Sequence, residues 1–240
     1  FVPLLYQVAT AALSPADIAR PIRGMLSRHR NITVMLGEVT GIDPARRLVH
    51  VREAPDLAYD RLILAPGSSY NYFGHDDWAE NAPGPRSISD ARRIRDRLLL
   101  AFERAEIATD PAEQARLLTT IVVGGGPTGV EMAGSVAELA RHTLVRDFRR
   151  IDPSKARVVL VEGGPRLLST FPEPLSDYTR RTLERLGVTV MTGSKVEAVE
   201  AHAGTIDGVR HAAGCVIWGA GVRASPLPAL KPGDYLLTLT

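Results

Sequence analysis

The alternation of apolar and polar positions along the chain predicts helices and strands in turn. The most regular stretch is SISDARRIRDRLLLAFERAEIA, residues 87–108. Ala91, Ile94, Leu98 and Phe102 recur at helical spacing, while Arg92, Arg93, Asp96 and Arg97 fall mostly off that face. The period predicts an amphipathic helix. Ser87 with Asp90 three residues on makes a capping-box-like start, although Glu or Gln is the usual partner. The arginines fit a basic contact surface or, more simply, a solvated helix face.

Other segments follow from the same pattern. Residues 14–29 read as a helix with Ser14 as N-cap and Pro15 at its first position, divided or kinked at Pro21. Residues 31–43 are β-rich, and RLVHV (47–51) and YDRLILA (59–65) read as short strands. The second is apolar enough to be central. Residues 66–85 read as a loop, yet hold two of the six tyrosines and one of the two tryptophans, so the loop is expected to pack on something. Strands are predicted at 120–124, 156–162 and 214–221, two more within 188–201, and helices at 128–150 and 172–187. This β-α-β-α-β order predicts a doubly wound α/β unit with small antiparallel additions.

Composition narrows the chemistry. Lysine and arginine number 29 against 27 aspartates and glutamates, which gives no argument for nucleic acid. One cysteine, Cys215, excludes an internal disulfide and a CxxC pair. The histidines show no HxH or HExxH spacing, so no metal site is expected. No apolar run approaches a membrane span, and the apolar N-terminal stretch lacks a basic flank, so it is a poor signal peptide.

The sharpest signal is TTIVVGGGPTGVEMAG, residues 119–134. Gly124, Gly126 and Gly129 form GxGxxG between a predicted strand and a predicted helix. In such a turn the first glycine permits the tight bend, the second lets a pyrophosphate approach the backbone, and the third lets helix and strand pack closely. Pro127 and Thr128 open the helix, whose N-terminus attracts phosphate. Glu162 ends the next strand, where a carboxylate accepts hydrogen bonds from the ribose hydroxyls of NAD and repels the 2′-phosphate of NADP. It lies further along than the usual ~20 residues, which fits an extended helix and loop in between. Glu131, in the first helical turn, is either a carboxylate favoured by the helix dipole or a residue facing the nicotinamide.

With GGGPTGVEMAGSVAEL, VVLVEGGPRLL and CVIWGAGVRASPL together, the chain resembles the pyridine nucleotide-dependent flavoproteins. More narrowly, PLLYQVATAALSPADIARPIR, EVTGID, NYFGHDDWAENAPG and ISDARRIRDRLLLAFERAE resemble the type II NADH dehydrogenases, non-proton-pumping NADH:quinone oxidoreductases. The resemblance implies a Rossmann-like NADH-binding domain inserted in a Rossmann-like FAD-binding domain. Residues 1–85 would then be a partial FAD domain, 86–219 the NADH domain, and 220–240 a return segment with a divergent end. It also implies that Val39, Ala65 and Gly67 lie at the flavin, and Gly219 and Ala220 beside the nicotinamide. The implied reaction is hydride transfer from NADH to FAD and then to a quinone. The cofactors carry that chemistry and the protein positions them. The single cysteine agrees with this branch rather than with the disulfide reductases.

The departures are specific. The strand and glycine turn that seat the FAD pyrophosphate would precede Phe1, Pro66 stands where a threonine is usual, and the later flavin, quinone and membrane-anchor segments are missing. The chain is therefore expected to be truncated at both ends. The parent enzyme would be cytoplasmic, peripheral on the inner face of the cell membrane, and compatible with a homodimer. Two alternatives stay open: an NADH-binding module without its own flavin or turnover, and another FAD-dependent pyridine nucleotide reductase.

Overall fold

A computed structural model describes residues 2–225. The chain forms two compact units. Among the described residues, the larger combines 2–19 with Asn71–Gly221, and the smaller contains Arg20–Tyr70 and 222–225. The divergent C-terminus expected within 220–240, from residue 226 on, lies outside the described residues.

The chain starts in the larger unit with α1 (Leu5–Ala9) and α2 (Pro15–Ile18). The Asp17 carboxylate accepts the Ser14 backbone N–H at 2.8 Å, as a capping box requires. The expected helix over 14–29 is divided. Its second part is α3 (Ile22–Leu26) in the smaller unit, with Pro21 as its N-cap, because proline cannot donate inside a helix.

The smaller unit continues with β1 (Val39–Asp43), β2 (Leu48–Val51) and β3 (Leu57–Ala58), an antiparallel sheet in the order β1-β2-β3. β4 (Ser68–Tyr70) follows. YDRLILA forms no strand: residues 59–65 are irregular and Ile63 is 92% exposed. Its apolar pattern is strand-like, but a central strand needs hydrogen-bonded neighbours, and no described strand pairs with it. Residues 31–38 are likewise irregular, so the β-rich segment begins its strand only at Val39.

The larger unit resumes with α4 (Ile88–Ile107), capped as expected by Ser87 and Asp90, and with α5 (Pro111–Leu117). Then come β5 (Thr119–Val123), α6 (Pro127–Glu138), β6 (Arg157–Glu162), α7 (Glu173–Arg185) and β7 (Val188–Thr192). α6 is shorter than the helix expected over 128–150. It passes into a π turn at Leu139–Thr143 and a 3-10 turn at Leu144–Arg146. The following turn is tied down by Glu106 of α4, whose carboxylate accepts the backbone N–H groups of Arg149, Arg150 and Ile151.

An antiparallel meander follows: β8 (Val196–Glu200), β9 (Ala203–Ile206) and β10 (Val209–Ala212). β9 and β10 lie outside the strands expected from the apolar pattern; they are joined by Asp207-Gly208, a strong hairpin signal. Both turn residues have positive φ, 48° and 77°. β11 (Cys215–Trp218) closes the parallel sheet in the order β11-β5-β6-β7, and β12 (Val222–Ala224) pairs with β4 in the smaller unit.

All four strands of the main sheet are parallel, and the two inner strands, β5 and β6, are buried along nearly their whole length, with the apolar runs 121–123 and 158–161 within them, as burial on both faces demands. Val122, Leu160 and Ile217 meet Leu5, Val8, Ile94, Leu98, Met132 and Val136 on the helical face. The opposite face receives the meander, where Gly204 leaves room for Ile121. Parallel pairing puts the C-terminal ends of these strands on one edge, where ligands of such sheets bind.

Candidate functional site

The site is assembled where β5, β6 and β11 end. Gly124 has φ 104°, a conformation open to glycine at little cost. A Cβ there would lie 2.5 Å from the Ala220 backbone, so the turn after β5 touches the turn after β11. Gly219 N–H donates to the Val123 carbonyl at 2.6 Å, and an added Cβ at Gly219 would come 3.2 Å from the Gly129 nitrogen. A Cβ at Gly129 would fall on the Gly124 carbonyl oxygen. Gly126 differs: nothing lies within 4 Å of its would-be Cβ. The close approach therefore sits at Gly124 and Gly129, and the open space sits at Gly126, above the N-terminus of α6. Pro127 is exposed and Thr128 half-buried at the first turn of that helix.

Glu162 faces this turn. Its Oε2 accepts the Gly125 N–H at 2.5 Å and its Oε1 accepts the Gly164 N–H at 2.6 Å. The carboxylate thus bridges the glycine turn and its own following loop. That loop is held further by Leu168 N–H to the Gly125 carbonyl and Gly193 N–H to the Gly164 carbonyl. Each carboxylate oxygen retains capacity for another donor.

Glu131 stands one turn into α6 and is exposed. Partial burial nonetheless raises its carboxyl above the ordinary range. Contrary to the sequence expectation, Glu131 lies beyond the first turn of α6, which holds no acidic residue, and desolvation is the cause of the rise.

The structure brings together Gly124, Gly126, Gly129, Glu162, Gly219 and Ala220. Val39, Ala65 and Gly67 belong to the smaller unit and are all exposed. They offer surface rather than an enclosed cradle.

A pocket of about 390 Å³ adjoins the glycine turn. Gly124, Glu162, Gly163, Lys195 and Val196 line it, together with Phe73, His75, Trp78 and Trp218. The aromatic residues were not among the expected site residues; the concentration of rings in the 66–85 loop was the available signal. The loop is fastened within the larger unit. Tyr72 O–H donates to the Ala82 carbonyl at 2.9 Å, and burial pushes that phenol up to about 12. Trp218 Nε1 donates to the Asn71 carbonyl at 3.1 Å. Arg97 donates to the Glu80 and Asn81 carbonyls and Arg93 to that of Glu80. Arg93, exposed, and Arg97, half-buried, thus anchor the loop to α4.

Residues 1–235 match the family model described as pyridine nucleotide-disulphide oxidoreductase. The chain belongs to this family. It is 47% identical over 238 residues to the type II NADH:quinone oxidoreductase Ndh of Mycobacterium tuberculosis, covering 95% of the chain and 51% of that protein. It is 30% identical to an external alternative NADH-ubiquinone oxidoreductase of Yarrowia lipolytica mitochondria, covering 95% of the chain and 42% of that protein. The chain thus spans about half the length of the curated relatives it matches. Among solved structures, NDH2 of Plasmodium falciparum in complex with NADH superposes with a TM-score of 0.83 at 27% identity, over 95% of the chain and 49% of that one. The putidaredoxin reductase–putidaredoxin complex shares the fold, with a TM-score of 0.68 at 23% identity over 92% of the chain and 49% of that one. The chain therefore has the α/β fold of the two-dinucleotide-binding flavoprotein reductases.

Proposed function

We propose that this chain binds NADH along the C-terminal edge of its parallel sheet, as part of a FAD-dependent NADH:quinone oxidoreductase. The observation that carries the reading is the convergence of the Gly124–Gly129 turn, the Glu162 carboxylate and the Gly219–Ala220 turn. The open space at Gly126 takes the pyrophosphate against the N–H groups of Thr128 and its neighbours, with Pro127 fixing the helix start. Glu162 accepts the ribose hydroxyls. Gly219 and Ala220 flank the nicotinamide, with Glu131 as the carboxyl that faces it.

In the whole enzyme, FAD held against Val39, Ala65 and Gly67 would supply the hydride acceptor and the route of electrons to a quinone. Hydride transfer asks the protein for orientation rather than for proton transfer, and a fastened glycine edge meets that demand. Residues 86–219 carry the NADH elements in this reading, and residues 1–85 and 220–240 run toward the flavin, with Val39, Ala65 and Gly67 against it. The relatives' names support the quinone as acceptor. A cytoplasmic location, peripheral attachment to the inner face of the membrane and a homodimer belong to the same proposal for the whole protein. No helix among the described residues is long and apolar enough to cross a membrane.

A second reading, an NADH-binding module without turnover, is favoured by the exposure of Val39, Ala65 and Gly67. Absorbance separates the two. Purified protein incubated with FAD and desalted should stay yellow and oxidise NADH with a short-chain quinone. A colourless protein that still binds NADH selects the module. Failure to bind NADH at all refutes both.

A further inference from the structure

The Gly219–Ala220 turn is held from two sides. On one side is the glycine turn, through the Gly219 N–H and the Val123 carbonyl. On the other is the aromatic loop, residues 71–85, which brackets the turn with three hydrogen bonds. Trp218 N–H donates to the Pro83 carbonyl at 3.0 Å, Trp218 Nε1 donates to the Asn71 carbonyl at 3.1 Å, and Asn71 N–H donates to the Gly221 carbonyl at 3.2 Å. The residue before the turn and the residue after it are therefore both placed by the loop.

We infer that Arg97 is a positioning residue for the nicotinamide, acting through this loop on Gly219 and Ala220, an assignment that rests on the NADH reading and extends it to α4. The loop has little regular structure of its own, a single 3-10 turn at Asp76–Ala79. Its shape is set by what it is tied to. Arg97 Nη1 donates to the Asn81 carbonyl at 2.8 Å and Nη2 to the Glu80 carbonyl at 2.6 Å. A planar guanidinium spanning two successive carbonyls fixes the direction of the chain there as well as its distance. Arg93, one turn earlier on α4, adds a single bond to the Glu80 carbonyl.

The path from Asn81 to the turn is short and stiff. Pro83, whose carbonyl receives Trp218 N–H, lies two residues on. Residues 82–85 are buried, and the prolines at 83 and 85 have fixed φ. Trp218 is 2% exposed, with its ring 4.9 Å from that of Tyr72 and 5.7 Å from that of Trp78. A close-packed chain of contacts transmits a displacement rather than absorbing it. A shift at Glu80 and Asn81 therefore reaches Gly219 and Ala220. Hydride transfer is sensitive to such a shift, since a misplacement of about 1 Å can cost ~10²-fold in rate.

The test compares NADH with ADP-ribose, which lacks the nicotinamide. Calorimetry gives the Kd of each, and the fluorescence anisotropy of the dihydronicotinamide in bound NADH reports how firmly that ring is held. Arg97→Met removes both donors and keeps the apolar stem. It should lower the anisotropy of bound NADH and raise the NADH Kd about fivefold to tenfold, while the Kd of ADP-ribose stays unchanged, because the Gly124–Gly129 turn and Glu162 hold that part. Arg97→Lys keeps the charge but cannot fork, and should show a smaller loss of the same kind. Melting curves show whether each variant folds; if Arg97→Met does not, Arg97→Lys decides by the same readings. Variants that hold the dihydronicotinamide as firmly as the unmodified protein overturn the inference and leave the NADH reading standing. Equal weakening of both nucleotides also overturns it, because the loss would then be a general loosening of the fold. Unmodified protein that binds NADH with the dihydronicotinamide as mobile as in free nucleotide overturns it too. Unmodified protein that binds neither nucleotide refutes the NADH reading and the inference with it.

Discussion

Glu162→Gln is the substitution that most directly tests the site. The carboxylate divides its oxygens between two backbone donors, Gly125 N–H at 2.5 Å and Gly164 N–H at 2.6 Å. A carboxamide has one oxygen and one NH₂ group, so one of these N–H groups would face another donor. A hydrogen bond to a charged group contributes ~1.5–3 kcal/mol, and a donor left without a partner costs ~1–3 kcal/mol. The half-buried site places the effect toward the lower ends of these ranges. The same carboxylate is assigned to the ribose hydroxyls, so its neutralisation removes the stronger acceptor there too. NADH affinity should fall about tenfold to a hundredfold, equivalent to ~1.4–2.8 kcal/mol. NADPH should lose less or gain, since a negative carboxylate no longer opposes the 2′-phosphate and Lys195 lines the same pocket. The assay is a titration of both nucleotides against both proteins, with thermal melts to verify folding. An unchanged NADH Kd together with an unchanged NADH-to-NADPH ratio would refute the assignment of Glu162.

Three further outcomes are expected. Gly126→Ala should melt like the unmodified protein, since its Cβ meets nothing within 4 Å, yet bind NADH at least ~10-fold more weakly. Gly129→Ala should instead lose ~1–3 kcal/mol or more of stability by overpacking, because its Cβ would fall on the Gly124 carbonyl; equal melting curves for the two variants would contradict this division. Burial pushes the Cys215 thiol up to about 12, so it should remain unreactive toward an aromatic disulfide reagent at pH 8 and titrate fully once the protein is denatured. Glu106 is desolvated, but its three backbone hydrogen bonds outweigh that and hold its carboxyl below the usual 4.5. Its stabilising contribution is therefore present above that ordinary value and is lost as pH falls through the lowered one; Glu106→Gln should lower the melting temperature at pH 7 and flatten its decline in acid.

The sequence by itself determined the features governed by near neighbours. α4 follows from the spacing of Ala91, Ile94, Leu98 and Phe102 and from the Ser87–Asp90 cap. The glycine turn follows from a β-branched run meeting GxGxxG, and Glu162 from its place at the end of the next apolar strand. Periodicity and turn chemistry act over a few residues, so they can be read without a partner in view. The Asp207-Gly208 hairpin was legible on the same terms. Tertiary structure decided what depends on distant pairing. YDRLILA carries a strand's pattern but has no described neighbour to satisfy its backbone, so composition alone could not make it a strand. Only the parallel pairing of β11 with β5 brings Gly219 and Ala220 against Gly124. Only the packing of the aromatic loop on Trp218, with Arg93 and Arg97 as anchors, turns scattered rings into one wall of a pocket. Such contacts join segments far apart along the chain, and their energy comes from burial and hydrogen bonding that exist only after the chain has closed on itself.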